Sequence, residues 1–439
     1  MSPSRSRRPL SARRGRRVAF AALLLALAFA PSAFASRLPG TGPVRRIEIN
    51  GNERTRDYAL RRVLGVAEGD TLDASGLDAA WDRLEDCGWF RFVELDTEPA
   101  GDGGIVLAVT VEEDLSTFYG PLVRHSRRHK YLLGGWLEER NLGGRGQSLR
   151  LEAAALYAQS AGVTWQVPWL AGVRGLTGTV ALRGEQADFV FRPTRYRRGE
   201  AEAGARWNFL GPVFAQAGAR YSSFRQRDDF LWSTPARGDG VPAGEALFAA
   251  GASNRWRLAA GVGVDTRDNP FYPLKGCSVL LEGAHWTGDG GDGHGEWTGD
   301  ARAFVPLPAG RHLLALRAWG RRVSSPAPLD DVLFLGGPET VRGAGFGSLE
   351  GEEGWLLTAE YRLPLLLVPI APGGESVGFG LHAFADGGQA WWDGARPGDP
   401  AFTWGAGAHV SLDTWQLRFE AARDEARDWH FEFGDRFTF

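Results

Sequence analysis

The sequence predicts an all-β transmembrane protein, a 16-stranded antiparallel β-barrel of the outer-membrane kind preceded by one small α/β domain. Three observations carry that expectation. From about Phe118 onward, apolar and polar residues alternate with a period of two through segment after segment. Glycine supplies 60 of 439 residues against a usual share of about 7%, and 17 Trp and 25 Phe accompany it, a composition suited to many turns and to aromatic belts. Beyond residue 35 the longest apolar run, Leu363 to Ile370, is too short and too broken by proline to cross a bilayer as a helix.

The elements follow in chain order. Residues 1–17 carry seven Arg and no acid, Val18–Ala30 is apolar, and Ala33-Phe-Ala35 offers a small-x-small cleavage site. Residues 1–35 are therefore expected to be an export signal. Its removal takes seven positive charges from a net charge of −3 and leaves −10, a balance that argues against a nucleic-acid partner. Cys87 and Cys277 lie in different segments and are expected as free, half-buried thiols. No Cys/His spacing resembles a metal site.

Residues 44–114 read as one compact α/β unit in the order strand, helix, helix, strand, strand. Arg46-Ile-Glu-Ile-Asn50 alternates like a strand, and Gly51-Asn52 turns it. Thr55 is expected to cap a helix whose apolar positions are Tyr58, Leu60, Val63 and Leu64, ending near Gly65. A second helix runs through Leu77, Ala80, Trp81 and Leu84 to Gly88. Phe90–Thr97 and Ile105–Glu112 then alternate around the Gly101-Asp-Gly-Gly104 turn. The unit resembles the polypeptide-transport-associated (POTRA) domain, through Ile47-Glu-Ile-Asn-Gly-Asn52, the Gly69 turn, Leu84, Gly88-Trp-Phe90, Val93 and Val109-Thr-Val-Glu-Glu113. The resemblance implies a periplasmic domain whose open sheet edge pairs with extended client segments, since unpaired backbone groups make little demand on a partner's sequence.

Residues 119–439 are assigned to the barrel. Leu149, Leu151, Ala153 and Ala155 share one parity, and Ser148, Arg150 and Glu152 share the other. Trp415, Leu417 and Phe419 likewise oppose Gln416, Arg418 and Glu420. Charges on one face beside a continuous apolar face suit lipid outside and a polar lumen inside. A soluble sandwich could alternate too, but the export signal and the number of consecutive strands disfavour it. Sixteen candidate strands fall between about 131 and 439, the weakest near 244–250. The segment allows about 20 positions per strand with its connection, room for spans of about 9–11 residues. The basic cluster His125-Ser-Arg-Arg-His-Lys130 reads as a solvated linker or a lipid headgroup contact.

Several pieces of the barrel resemble the BamA/TamA outer-membrane assembly family, which includes the two-partner secretion transporters. They are Arg140-Asn-Leu-Gly-Gly-Arg-Gly146 after the first candidate strand with Pro168-Trp169 further on, and Val264 to Gly276 as a periplasmic turn between strands eight and nine. Phe334-Leu-Gly-Gly337 leads into Val341-Arg-Gly343 in a long external connection, followed by Ala359-Glu-Tyr-Arg-Leu-Pro364 on strand twelve and Phe384-Ala-Asp-Gly-Gly388 on strand thirteen. Alternation places Glu360 with Thr358 and Arg362, and Asp386 with Phe384 and His382, so both carboxylates are expected in the lumen. The resemblance implies a loop folded back into the lumen, with Arg342 paired to Glu360 and Asp386 and with Val341, Gly343, Phe384 and Gly388 as motif residues. A guanidinium can serve two carboxylates in a planar fork, which lysine cannot reproduce. The sequence departs from the family at Ala344, where an aromatic is usual, with Phe346 two residues on. The ending Phe437-Thr-Phe439 resembles an outer-membrane sorting signal.

The resemblance implies an outer-membrane assembly factor, periplasmic at its N-terminal domain. It would receive unfolded client proteins and insert them at a weakly paired seam between first and last strands, which the Gly134-Gly135 pair would loosen. Partners would be those clients, outer-membrane lipids, and periplasmic chaperones or accessory lipoproteins. No cofactor and no enzymatic activity are expected. The alternatives are a two-partner secretion transporter, for which one POTRA unit and the short Ser36–Pro43 lead are too little, and a passive pore, for which a docking domain is superfluous.

Overall fold

The computed structural model describes residues 42–434, apart from 102, 127–129, 157, 189–193, 235–243, 249, 271, 290–292, 309–311, 325–330, 346, 370–375, 393–397, 413–414 and 425–427. The expected export signal, Phe346, Phe437 and Phe439 lie outside the described residues.

The N-terminal unit is a sheet of β1 (Gly42–Asn50), β2 (Thr71–Leu72), β3 (Phe90–Ala100) and β4 (Gly104–Glu113) in the order β2-β1-β4-β3. β1 runs parallel to β4, and β3 forms a free edge. Helices α1 (Asp57–Leu64) and α2 (Ala74–Asp86) bury Ala59, Leu60, Leu64, Ala80 and Leu84 against Val44, Ile47, Leu107 and Val109. Each leucine so buried stabilises the unit by roughly 1.5–3 kcal/mol relative to exposure. Asp73 caps α2, accepting a hydrogen bond from Gly76 N at 2.7 Å. Thr55 does not cap α1: Arg56 occupies the cap position without a side-chain bond. The Thr55 hydroxyl is taken instead by the barrel, where it accepts from Asn141 Nδ2 at 2.8 Å.

Sixteen antiparallel strands form the second sheet. They are β5 (Thr117–Ser126), β6 (Lys130–Leu142), β7 (Gln147–Leu156), β8 (Ala158–Val167), β9 (Leu176–Asp188), β10 (Arg195–Leu210) and β11 (Val213–Gln226), then β14 (Gly251–Asp265), β15 (Gly276–Gly288), β16 (His294–Pro306) and β17 (Leu313–Val323), and finally β20 (Glu353–Pro369), β21 (Ser376–Trp391), β22 (Ala401–Leu412), β23 (Trp415–Arg423) and β24 (Trp429–Gly434). Two short hairpins stand apart from it: β12 (Phe230–Thr234) with β13 (Gly244–Phe248), and β18 (Leu333–Leu335) with β19 (Leu349–Gly351).

The expected number of strands is present, but its membership differs at two places. The segment near 244–250 pairs within a small hairpin outside the barrel sheet, where local alternation looks the same. The first strand is β5, which Gly120-Pro121 makes hard to read as a strand. Proline is tolerated there because β5 is an edge, with β6 as its ladder partner. Gly134-Gly135 therefore sits in the second strand, away from the seam. A Cβ on Gly134 would fall 1.9 Å from Ala153 O, so close packing of β6 on β7 is what this glycine permits. The cluster expected as a linker begins instead at the end of β5 and finishes at the start of β6.

The barrel is inverted in polarity relative to a soluble protein. Trp207, Trp256, Val262, Leu281, Trp297, Leu357 and Phe419 are exposed, whereas Arg255, Glu296, Glu360, Arg362, His382, Asp386, Arg418 and Glu420 are buried. Exposed aromatics gather at the two ends of the strands. Trp165, Trp207 and Phe209 lie at the end nearer the N-terminal domain, and Trp256, Trp297, Phe402, Trp404, Trp429 and Phe431 lie at the other. Two such girdles bracket a lipid-facing band.

The N-terminal unit docks on the near-end turns. Arg56 N donates to Gly144 O at 2.8 Å, and the Trp89 and Trp169 rings meet edge to face at 6.2 Å. Gly144 adopts φ +71°, and a Cβ there would lie 1.9 Å from Arg54 O, so the β6–β7 turn requires glycine to approach so closely. β24 comes within 8 Å of β5 in Cα positions, but no ladder joins them among the described residues.

Candidate functional site

The connection between β17 and β20 leaves the end of the barrel remote from the N-terminal unit and turns back into the lumen. Its stem is the β18–β19 pair, and its tip is shaped by local bonds: Gly336 N donates to Thr340 Oγ1 at 2.8 Å, and Gly337 N donates to Val341 O at 3.0 Å. Gly336, Gly337 and Gly343 all have positive φ. The tip rests on the wall through small residues. Val341 is fully buried over Gly388, where a Cβ would meet Val341 Cγ2 at 2.4 Å, and Gly343 faces Ala422. Ala344 is buried beside Val341 and Leu356.

These contacts deliver Arg342 into a buried cluster: Arg342, Glu360, Arg362 and Arg418 are 0% exposed. Arg342 Nε and Nη2 donate to the two oxygens of Asp386 at 2.7 and 2.9 Å, a bidentate pair, and its backbone N–H adds a third bond to the same carboxylate at 3.0 Å. Arg342 Nη1 donates to Glu360 Oε2 at 2.5 Å and to Glu420 Oε1 at 3.0 Å. The guanidinium lies 3.6 Å from the centroid of the Phe384 ring. Arg362 Nε donates to Glu360 Oε1 at 2.6 Å, and Arg418 Nη1 donates to Glu420 Oε1 at 3.1 Å. Arg418 Nη2 also holds the tip directly, donating to Pro338 O at 2.9 Å. Three guanidiniums thus face three carboxylates. Buried charge is tolerable only when paired and hydrogen-bonded in this way.

The structure therefore brings Arg342, Glu360 and Asp386 together, with Val341, Gly343, Phe384 and Gly388 forming the seat. It adds Glu420, Arg418 and Arg362 to the group. The lumen-facing parity of Arg418 and Glu420 was legible in the sequence, but alternation does not say which strand lies across the lumen. Glu432 on β24 is a further member, accepting from Gly343 N at 3.2 Å. Glu360, His382 and Glu420 have ligand atoms within 4.8 Å of one another, a spacing that could hold a metal ion. Arg342, Arg362 and Arg418 already supply the positive charge at those carboxylates, so the group is an ion-pair cluster.

The architecture agrees with comparisons to known proteins. A family described as "Omp85 superfamily domain" matches residues 141–437, and a POTRA family described as "Surface antigen variable number repeat" matches residues 43–114. The outer membrane protein assembly factor BamA of Nitratidesulfovibrio vulgaris is 28% identical over 111 residues, which are 25% of this chain and 14% of that protein. Among solved structures, BamA from Haemophilus ducreyi lacking POTRA domains 1-3 superposes with a TM-score of 0.66 at 15% identity, over 92% of this chain and 84% of that one. CdiB from Acinetobacter baumannii gives 0.59 at 14% identity, over 90% and 73%. Since the barrel family spans well over half of its residues, the chain belongs to the Omp85 superfamily, as an outer-membrane β-barrel with a periplasmic POTRA domain.

Proposed function

We propose that this protein inserts client proteins into the outer membrane. The observation that carries the reading is the seam: β5 and β24 are the two end strands of the barrel sheet and lie side by side, and no ladder joins them among the described residues. Such an edge templates an incoming strand with little regard to sequence. The POTRA sheet offers a second free edge at β3, on the periplasmic side, where extended clients would first pair. The pinned loop braces β20, β21, β23 and β24, holding the last strands in place while β5 is free to part from them. The partners of this reading are unfolded outer-membrane proteins, delivered by periplasmic chaperones or accessory lipoproteins.

Depletion followed by quantitative proteomics of the outer membrane tests it. Loss of several barrel proteins is expected. Loss of a single secreted polypeptide with an unchanged barrel complement would instead make the protein a secretion transporter, a reading that the fold shared with CdiB keeps as the alternative.

A further inference from the structure

The ion-pair cluster continues toward the periplasm as a single column of rings. Tyr272, on the periplasmic turn between β14 and β15, folds into the lumen and is buried. Its ring lies 5.7 Å from that of His409 on β22, His409 lies 5.3 Å from His382 on β21, and His382 stacks on Phe384 at 6.2 Å. Phe384 in turn carries the Arg342 guanidinium. The register builds this column. His409 pairs across the sheet with Gly380, His382 with Gly407 and Phe384 with Gly405, so each ring lies over a bare backbone. A Cβ at Gly380 would meet His409 ring atoms at 2.6 Å, one at Gly407 would meet His382 Nε2 at 2.9 Å, and one at Gly405 would meet Phe384 at 2.6 Å.

Hydrogen bonds run through the same residues, and one placement of the imidazole protons satisfies all of them. His382 Nε2 faces Glu420 Oε1 at 2.9 Å, and a carboxylate can only accept, so that nitrogen carries the proton. In that placement His382 Nδ1 accepts from His409 Nδ1–H at 3.1 Å. His409 Nε2 is then left to accept from the Tyr272 hydroxyl at 2.9 Å. Burial pushes the Tyr272 phenol up to about 12, so it keeps the proton that it donates. Each step fixes the tautomer of the next, and the last lands on the carboxylate oxygen that receives Arg342 Nη1.

We propose that Tyr272, His409 and His382 are positioning residues for the loop, a relay by which the periplasmic turn governs how firmly Arg342 is held. With Tyr272 seated, His382 is presented to Glu420 in the tautomer that donates, and Glu420 is aimed at the guanidinium. Lifting the turn removes the donor to His409 Nε2, frees both imidazoles to rotate or exchange tautomers, and loosens Glu420. An extended polypeptide entering the lumen from the periplasm meets this turn first; that use rests on the insertion reading above, whereas the relay itself does not.

The test uses the purified full chain in lipid vesicles without client. A reporter cysteine at the buried tip, Ala344→Cys, is placed in a Cys87→Ser/Cys277→Ser background and labelled with a bulky maleimide. A second reporter, Ala154→Cys on β7, reads general opening of the barrel. Tyr272→Phe removes one hydroxyl and is expected to speed labelling at position 344 about fivefold, the factor expected for one buried hydrogen bond. It should leave position 154 unchanged. His409→Gln breaks the relay at its middle and should act alike, and the double variant should exceed neither single one. Tyr361→Phe, whose hydroxyl bonds His312 Nδ1 elsewhere, is the control. Parent-like labelling in both single variants while Arg342→Lys speeds it, equal acceleration at both reporters, or multiplying effects in the double variant would each overturn the relay. None of these outcomes bears on the proteomic test of client insertion.

Discussion

Replacing Arg342 by alanine removes four of its five hydrogen bonds and leaves the backbone donor to Asp386. The loss falls unevenly on the three acids. Glu360 keeps Arg362, and Glu420 keeps both Arg418 and His382. Asp386 loses its bidentate partner and becomes a buried, uncompensated charge. Such an orphan costs about 3–5 kcal/mol, and the lost cation–π contact with Phe384 adds about 0.5–2 kcal/mol. Urea unfolding in vesicles followed by tryptophan fluorescence should show a destabilisation of that size, with loss of the heat-resistant folded band on gels. The arithmetic makes a sharper demand: Arg342→Ala with Asp386→Asn should recover a large share of the loss, because the orphan is gone, whereas Arg342→Ala with Glu360→Gln should not. Arg342→Lys should fall between, since an ammonium cannot span the fork. An Arg342→Ala protein with the parent midpoint, or equal rescue by both second substitutions, would refute the reasoning.

Other consequences follow from the same geometry. Gly343 has φ +85° and would place a Cβ 2.7 Å from that of Ala422, so Gly343→Ala should cost about 1–3 kcal/mol in the urea assay through strain and overpacking; parent stability would show the tip to be adaptable. Burial pushes the Cys87 thiol in the POTRA domain up to about 12. Folded protein at pH 8 should therefore label at Cys87 far more slowly than urea-unfolded protein. Between about pH 9 and 12 the unfolded thiol ionises while the folded one resists, so the domain should lose stability as pH rises. Equal labelling rates in the two states would contradict this. Asn141→Ala breaks the bond to Thr55 and the bond from Gly146 N, so limited proteolysis at residues 114–116 should quicken while the barrel's heat resistance stays unchanged; slower or equal cleavage would mean that the dock does not depend on Asn141.

The faces of the strands were legible because lipid and lumen impose opposite demands on successive residues, and no packing detail is needed to read that. Arg342 with Glu360 and Asp386 was legible for a different reason: alternation put both carboxylates in the lumen, but only the resemblance of the Val-Arg-Gly loop and the two acid motifs to a known family named their partner. The role of Glu420 left no comparable mark. Its parity is ordinary, and its meeting with Arg342 depends on how far the barrel has curved by β23. β5 was hidden by Gly120-Pro121, since an edge strand can carry residues that weaken the local signal. Thr55 misled because a hydroxyl before a helix usually serves that helix, and here a turn 86 residues away claims it. The histidine column was invisible for the same kind of reason, as a glycine opposite an aromatic becomes meaningful only when the register is known.

The charges that pin the loop also bear on how the chain reaches its membrane. β20 contains most of the longest apolar run beyond residue 35, reading Glu-Gly-Trp-Leu-Leu-Thr-Ala-Glu-Tyr-Arg-Leu-Pro-Leu-Leu-Leu-Val-Pro from Glu353 to Pro369. Held as a helix, such a stretch would invite a translocation channel to release it sideways into the inner membrane. Arg362 near its middle raises the free energy of that insertion by about 2.5–3.5 kcal/mol, Glu360 adds a second penalty, and Pro364 breaks the helix. The residues that fasten the finished barrel thus also keep this apolar run from stopping in the wrong bilayer.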